Sequence, residues 1–195
     1  MTSYATRAIA RWLDGEYGPE PDVYEASIDL VHATAPGGVA AVAKELEEFL
    51  ADMLPQDGLV GDLLRGAVSE VDWRELAVHK YEEIIEIWTR EARKLGAQHA
   101  CAAASWIADN TDPGHAQRVL SMLDDGDPAA EQFLPSSPDL SGEYAGGLTP
   151  AKLAAEIAEA EVSDSDLIDA LASAYEDGVS DAFTDACAAE LRVRT

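Results

Sequence analysis

A histidine and a glutamate one helical turn apart are the first residues of this chain that could carry chemistry. His79 and Glu83 stand at i, i+4, so on a helix both side chains lie on one face and could share a divalent ion. Glu82 and Glu86 fall within the same two turns. A metal site needs three or four converging ligands, and no second motif supplies the others. The favoured interpretation is a solvated helix face, and a carboxylate-metal enzyme around His79 and Glu83 is the alternative.

The sequence patterns of other catalytic sites are missing. The chain has no Gly-rich phosphate loop, no Gly-x-Ser-x-Gly elbow, no His-Glu-x-x-His and no Cys-His pairing by spacing. Cys101 and Cys187 lie far apart without metal-ligand spacing, which predicts two reduced, partly buried thiols, with a structural disulfide as the minor alternative. We therefore predict a protein that is not an enzyme and that needs no metal or other cofactor.

A row of aspartates near the C-terminus gives a sharper hypothesis. Its members are Asp166, Asp169, Asp177, Asp181 and Asp185. On a helix, four-residue steps place carboxylates about 6 Å apart along the axis and about 40° apart around it. Like charges at i, i+4 destabilise a helix by about 0.2–0.5 kcal/mol per pair, and Gly178 weakens it further. A row with this cost and no packing role indicates carboxylates that imitate the phosphates of a nucleic acid.

The charge of the whole chain restricts its partners. The 195 residues carry 38 Asp plus Glu against 13 Lys plus Arg, a net charge of −25. Such a surface repels nucleic acid and anionic membranes and attracts basic surfaces. Between Lys94 and Arg192 the only cations are Arg118 and Lys152, against 19 acids. The acids of this half that we add to the aspartate row as a partner-binding face are Asp124, Asp125 and Asp127.

Composition also indicates the class of protein and its compartment. With 47% hydrophobic residues the chain can bury a core, so the charge does not signal disorder. No run of about 18 apolar residues exists, and the N-terminal residues lack the features of a signal peptide, so we predict a cytoplasmic protein. We expect an N-terminal helical part, 1–95, and an acidic C-terminal helical part, 96–195, packed as one globular unit.

Apolar residues recur with helical spacing along nearly the whole chain, and no segment alternates with strand period. The prediction is an all-α protein, a compact multi-helix bundle of nine or ten helices without a sheet. Helices are expected over 3–13, from 22 to the Pro36 region, over 39–53, and from 57 onward. The apolar face of the fourth helix comprises Leu59, Leu63, Leu64, Ala67 and Val71.

Capping signals predict the remaining helices. Asp72 and Glu75 form a capping box that opens a helix ending at Leu95, with Gly96 as its C-terminal cap. An Ala-rich, central helix is expected over 98–108. Three further starts use proline at the first helical position, and a last helix from Ser163 to Leu191 is capped with Asp166. The prolines of those three starts follow Asp112, Asp127 and Thr149. The segment 135–147 is expected to be a linker or a binding loop.

The four tryptophans fall on predicted apolar faces. They are Trp12, Trp73, Trp88 and Trp106. We expect them in the core, with the alternative that one of them anchors a partner, because tryptophan is enriched in interface hot spots.

Two segments around tryptophans resemble known proteins. Residues 9–13 around Trp12, a following Tyr24, and residues 63–77 around Trp73 resemble the opening of small acidic accessory proteins carried by phages and plasmids of actinobacteria and salt-loving archaea. The resemblance covers less than half of the chain. It implies a mobile-element origin and interference with host machinery, and it transfers no catalytic residue.

Charge, spacing and resemblance together predict a non-enzymatic inhibitor. Its acidic helical surface would occupy the nucleic-acid-binding groove of a basic host protein, such as a restriction enzyme or a CRISPR effector. The alternative is an acidic interaction module from a salt-adapted cell. Its acids would serve hydration, and an apolar patch or the loop 135–147 would bind its partner. The acidity, with 4 Lys against 9 Arg, fits selection at high salt as well as it fits an inhibitor.

Overall fold

The structure is a computed structural model that describes residues 3–14, 21–55, 57–125 and 148–194. Every regular element in these ranges is helical, and none of these residues forms a strand. The predicted all-α class is therefore confirmed.

The N-terminal half contains four α-helices and one 3-10 turn. They are α1 (Tyr4–Leu13), α2 (Pro21–Thr34), the 3-10 turn Ala35–Gly37, α3 (Val39–Met53) and α4 (Gly58–Val68). Ser3 caps α1 because its hydroxyl accepts a hydrogen bond from the Thr6 amide at 3.0 Å. Gly38 separates the 3-10 turn from α3 with a φ of +81°, a backbone conformation that favours glycine.

The C-terminal half contains four further helices: α5 (Trp73–Asn110), α6 (Pro113–Asp124), α7 (Pro150–Ala158) and α8 (Ser165–Arg194). The predicted Asp-Pro and Thr-Pro starts of α6 and α7 are confirmed. Asp112 accepts a hydrogen bond from the Gly114 amide at 3.0 Å, and Thr149 accepts one from the Lys152 amide at 3.3 Å. The expected start at 127–128 and the expected loop 135–147 lie outside the described residues.

The described residues contain eight α-helices, so the predicted count of nine or ten is slightly too high. One expected helix begins at 127–128, outside the described ranges. The other difference is an error of interpretation, because the helices expected over 72–95 and 98–108 are the single helix α5. Gly96 was expected to cap the first of them, but it lies inside α5.

Gly96 lies inside a helix because it packs directly against another backbone. A methyl group on Gly96 would lie 2.1 Å from the carbonyl oxygen of Tyr175 in α8, and one on Gly178 would lie 2.0 Å from the carbonyl oxygen of Arg93 in α5. Each glycine therefore admits the main chain of the opposite helix. Glycine inside a helix costs about 1 kcal/mol relative to alanine. Here the missing side chains permit a close crossing of α5 and α8. The sequence interpretation did not include this role, because it treated Gly178 only as a residue that destabilises the helix.

The chain divides into two compact units. The first comprises Met1–Ile87 and Ala160–Leu167, and the second comprises Trp88–Glu159 and Ile168–Thr195. The core of the first unit includes Leu13, Val31, Val42, Leu46, Leu76 and Ile84. The core of the second includes Trp88, Leu153, Leu171, Tyr175, Val179 and Phe183. We predicted a boundary at residue 95 and the packing of both parts into one globular unit. Both statements remain predictions.

The cap of α8 differs from the prediction. Asp164, rather than Ser163 with Asp166, accepts hydrogen bonds from the first amides of the helix, those of Asp166 at 3.0 Å and Leu167 at 3.2 Å. Its second carboxylate oxygen accepts from the Tyr81 hydroxyl at 2.8 Å. Burial, together with the hydrogen bond to Asp164 and nearby negative charge, raises the pKa of Tyr81. The amide of Ser163 instead donates to the carbonyl of Pro36 at 3.1 Å.

Alanine at either glycine of the crossing is expected to destabilise the protein. Gly178→Ala and Gly96→Ala would each force two backbones apart, and we expect each to lower the free energy of unfolding by about 1–3 kcal/mol. Urea denaturation followed by circular dichroism measures the change. Gly66→Ala in α4 is the matched control, because nothing lies within 4 Å of a methyl group there. That control should raise stability by about 0.5–1 kcal/mol, and equal effects at the three positions would contradict the close crossing.

Candidate functional site

An apolar ridge anchors α8. The ridge predicted from the sequence is buried throughout, and it comprises Leu167, Leu171, Tyr175, Val179, Phe183 and Cys187. Tyr175 is further fixed by His99 of α5, whose Nδ1 lies 2.7 Å from the tyrosine hydroxyl oxygen, with the two rings edge to face. Because one side of α8 is buried, residues on its opposite side are held toward solvent.

The predicted aspartates are on that opposite side. Asp166, Asp169, Asp177, Asp181 and Asp185 are all exposed. Asp166 belongs to the first unit, whereas the other four belong to the second. The row itself is therefore present on the surface of the helix. Of the acids added to it, Asp124 and Asp125 are exposed at the end of α6, and Asp127 lies outside the described residues.

Two of these acids are paired with cations of the second unit. Asp177 Oδ2 lies 3.3 Å from Arg93 Nη2, and Asp124 forms an ion pair with Arg192. All four side chains are more than half exposed, so each pair is screened by water and contributes about 0–1 kcal/mol. The pairs nevertheless place positive charge beside the carboxylates, which makes Asp177 and Asp124 weaker anionic contacts for a partner.

The remaining aspartates of α8 in the second unit keep their charge unpaired. Asp169, Asp181 and Asp185 form no ion pair with another residue of the described ranges. Asp181 lines a shallow groove of about 370 Å³ whose other walls include Arg90, Arg93 and Lys94 of α5. Sequence analysis missed these cations, because a count along the chain does not show that the basic turn of α5 packs beside α8. The acidic surface is therefore more mixed near Asp181 than the sequence suggested.

His79 and Glu83 lie side by side in the structure, as their spacing predicted. His79 Nε2 lies 3.5 Å from Glu83 Oε1. The other carboxylate oxygen of Glu83 is 3.2 Å from the Lys80 ammonium, which also contacts Asp14 Oδ1 at 2.5 Å. Within the described residues, no group of three or more His, Cys, Asp and Glu side chains is arranged to hold a metal ion. The chemistry visible here is a buried ammonium held by two carboxylates.

Lys80 keeps its charge although its side chain is only 5% exposed. Burial lowers the pKa of Lys80, but the hydrogen bond and charge of Asp14, assisted by Glu83, outweigh burial, and the net pKa is raised above 10.5. The pair therefore ties the end of α1 to α5 inside the first unit.

The tryptophans are less uniform than predicted. Trp88 is a core residue, 2% exposed, and Trp12 and Trp73 are partly buried. Trp106 is 54% exposed, so its assignment to the core was wrong. It lies on the Ala-rich end of α5, where the buried residues are alanines such as Ala103 and Ala104.

The fourth helix departs most from its expected place. Leu59, Leu63, Leu64 and Ala67, which were expected to form a core-facing side, are exposed, and only Val71 beyond the helix end is buried. Periodicity correctly indicated an amphipathic helix. It carried no information about which way that helix faces.

No family model matches the chain, and neither a curated protein nor a solved structure is similar to it. Within the described ranges, no helix has an apolar stretch sufficient to span a bilayer.

Loss of Asp14 is expected to destabilise the first unit. Asp14→Asn leaves the buried Lys80 ammonium with Glu83 alone, and we expect the free energy of unfolding to fall by about 1–3 kcal/mol. Because the folded pKa of Lys80 is raised, the contribution is fully present below pH 10.5 and is lost only as pH rises through the folded value. The destabilisation should therefore be constant between about pH 6 and 9. Urea titrations at several pH values measure it, with the exposed Asp29→Asn as a control.

The two cysteines are expected to differ sharply in reactivity. Burial raises the pKa of the Cys187 thiol to about 11, whereas Cys101 is exposed. Since the thiolate is the reacting form, iodoacetamide at about pH 8 should add one group to the native protein and two after denaturation. Intact-mass spectrometry counts the groups, and Cys101→Ser should abolish native labelling. Two groups on the native protein would show that Cys187 is accessible.

Proposed function

We propose that this protein is a non-enzymatic inhibitor that uses the acidic surface of α8 to occupy the nucleic-acid-binding groove of a basic protein. The observation that carries the proposal is the set of exposed carboxylates of Asp169, Asp181 and Asp185, which form no ion pair within the described ranges and lie on a helix anchored by its buried ridge. A flexible acidic tail would attract basic proteins too, but a packed helix presents its charges in a fixed arrangement, which lowers the entropy lost on binding.

The spacing of the carboxylates supports the choice of nucleic acid as the imitated ligand. A four-residue step along α8, as from Asp181 to Asp185, advances about 6 Å along the axis. Two phosphate steps along one strand of duplex DNA advance roughly 6.8 Å. The two charges thus approach the axial spacing of alternate phosphates. The net charge of −25 adds long-range attraction toward a basic groove.

The kind of target follows from the resemblance of the N-terminal segments to accessory proteins of mobile elements. Such elements meet nucleases directed against their DNA, and those nucleases bind DNA through basic grooves. We therefore place a restriction enzyme or a CRISPR effector first among the targets, in an anti-restriction or anti-CRISPR role.

The test is competition with DNA. Labelled duplex DNA is bound to each member of a panel of restriction enzymes and CRISPR effectors, and displacement by this protein is followed by fluorescence anisotropy. We expect displacement from one of them, with an affinity that falls steeply between about 50 and 200 mM salt. The triple variant Asp169→Asn, Asp181→Asn, Asp185→Asn should bind at least about tenfold more weakly.

A matched control separates the α8 surface from total charge. Glu25→Gln, Asp29→Asn and Glu82→Gln remove the same three charges from exposed positions of α2 and α5. This control should bind nearly as well as the unchanged protein. If both triple variants lose affinity equally, the α8 arrangement has no special role. Binding that tolerates salt would instead favour the salt-adapted interaction module.

A further inference from the structure

Helix α4 presents its apolar side to solvent. Leu59, Val60, Leu63 and Leu64 are 73%, 63%, 65% and 39% exposed. At 100° per residue, these four side chains cover an arc of about 140° on one side of the helix. They account for four of the eleven large apolar side chains that are exposed in the described ranges. Scattered apolar residues are normal on a surface, but a contiguous group of this size marks an interaction site.

The side of α4 that carries Gly61 contacts the chain segment before the helix. Gly61 is the buried residue of the helix, and a methyl group on it would lie 2.4 Å from the carbonyl oxygen of Pro55. The Arg65 guanidinium donates to that carbonyl at 3.0 Å and pairs with Asp62 at 2.5 Å. These contacts hold the first turns of α4 against the chain segment that precedes the helix. The two most exposed leucines of α4 lie on the side of the helix away from Gly61.

The chain segments on both sides of this apolar helix are acidic. From Glu45 to Asp72 the chain contains eight acids and one base, Arg65, which is engaged with Asp62. Asp52, Asp57 and Glu70, which flank α4 in sequence, are all exposed. An apolar centre with an acidic margin is complementary to an apolar face with basic margins.

We propose that α4 is the docking site for a basic amphipathic helix of a partner protein. Its apolar side would pack on Leu59, Val60 and Leu63, and its Lys and Arg residues would meet the acidic margin. This surface belongs to the first unit, and it does not use the α8 aspartates of the second.

Charge argues against two other occupants. A second copy of this chain would bring the same acidic margin against itself, since symmetric contacts pair identical surfaces. An anionic bilayer would be repelled for the same reason. The partner must carry positive charge around its apolar face.

The test uses a synthetic peptide as the probe. An 18-residue, fluorescently labelled peptide of Leu and Lys with helical spacing is titrated with the protein at about 150 mM salt, near the ionic strength of cells. Its control has the same composition in an order without an apolar face. We expect the amphipathic peptide to bind at least about tenfold more tightly than its control.

Variants locate the binding on α4. Leu59→Gln with Leu63→Gln keeps helix propensity and removes apolar surface, and it should weaken binding at least about tenfold with unchanged circular dichroism. A second variant, Leu63→Lys, should weaken it further by repelling the peptide. The α8 triple variant described above should bind the peptide as the unchanged protein does.

Four results would overturn the proposal. Equal binding of both peptides, or equal loss in the α4 and α8 variants, would show attraction by total charge alone. Unchanged binding by both α4 variants would place the site elsewhere. A dimer in analytical ultracentrifugation that the α4 variant dissociates would show that a second copy is the occupant. The α4 and α8 proposals fail separately, because each has its own probe and variant.

Discussion

The close crossing of α5 and α8 is the constraint on which the second unit depends. Gly96 and Gly178 allow two helical backbones to meet without intervening side chains, and Tyr175 and Arg93 provide the carbonyls they meet. The crossing fixes which side of α8 is buried there. Once that side is set by the glycines and by Tyr175, the aspartates opposite have no direction available except toward solvent. The acidic surface is thus a product of backbone packing.

The same crossing limits the acidic surface. By bringing α5 close, it places Arg90, Arg93 and Lys94 beside the middle of α8, where Arg93 pairs with Asp177. Attraction between the pair offsets part of the repulsion that aspartates at i, i+4 impose on the helix. The locally unfavourable charge row inferred from sequence is therefore partly compensated at Asp177. In the proposed function this compensation has a cost, because a carboxylate paired within its own chain is less able to contact a partner.

Sequence analysis succeeded where the determining contacts are local. Helix starts at Asp112 and Thr149 were predictable because each cap bonds amides two or three residues away. The position of Gly96 inside a helix was not predictable. A glycine in a helical stretch indicates either the end of the helix or a close contact with another backbone, and only the partner helix decides between the two. The buried ridge of α8 was predicted from its period. The same reasoning failed for α4, because a period identifies the apolar side of a helix but does not show whether another element covers it, and Leu59 and Leu63 are exposed.

The two surfaces should respond differently to the ionic environment. In the proposed α8 contact the carboxylates would act through Coulomb attraction, which falls off within about 8 Å at physiological ionic strength and within about 3 Å at 1 M salt. In the proposed α4 contact the leucines would act through burial of apolar area, which added salt does not screen. At high salt the proposed α8 contact would therefore lose most of its attraction, whereas the apolar part of the proposed α4 contact would remain. In dilute salt both contacts would gain, because the acidic margin of α4 and the net charge of −25 also attract a basic partner. The relative strength of the two contacts would consequently depend on the medium as well as on the fold.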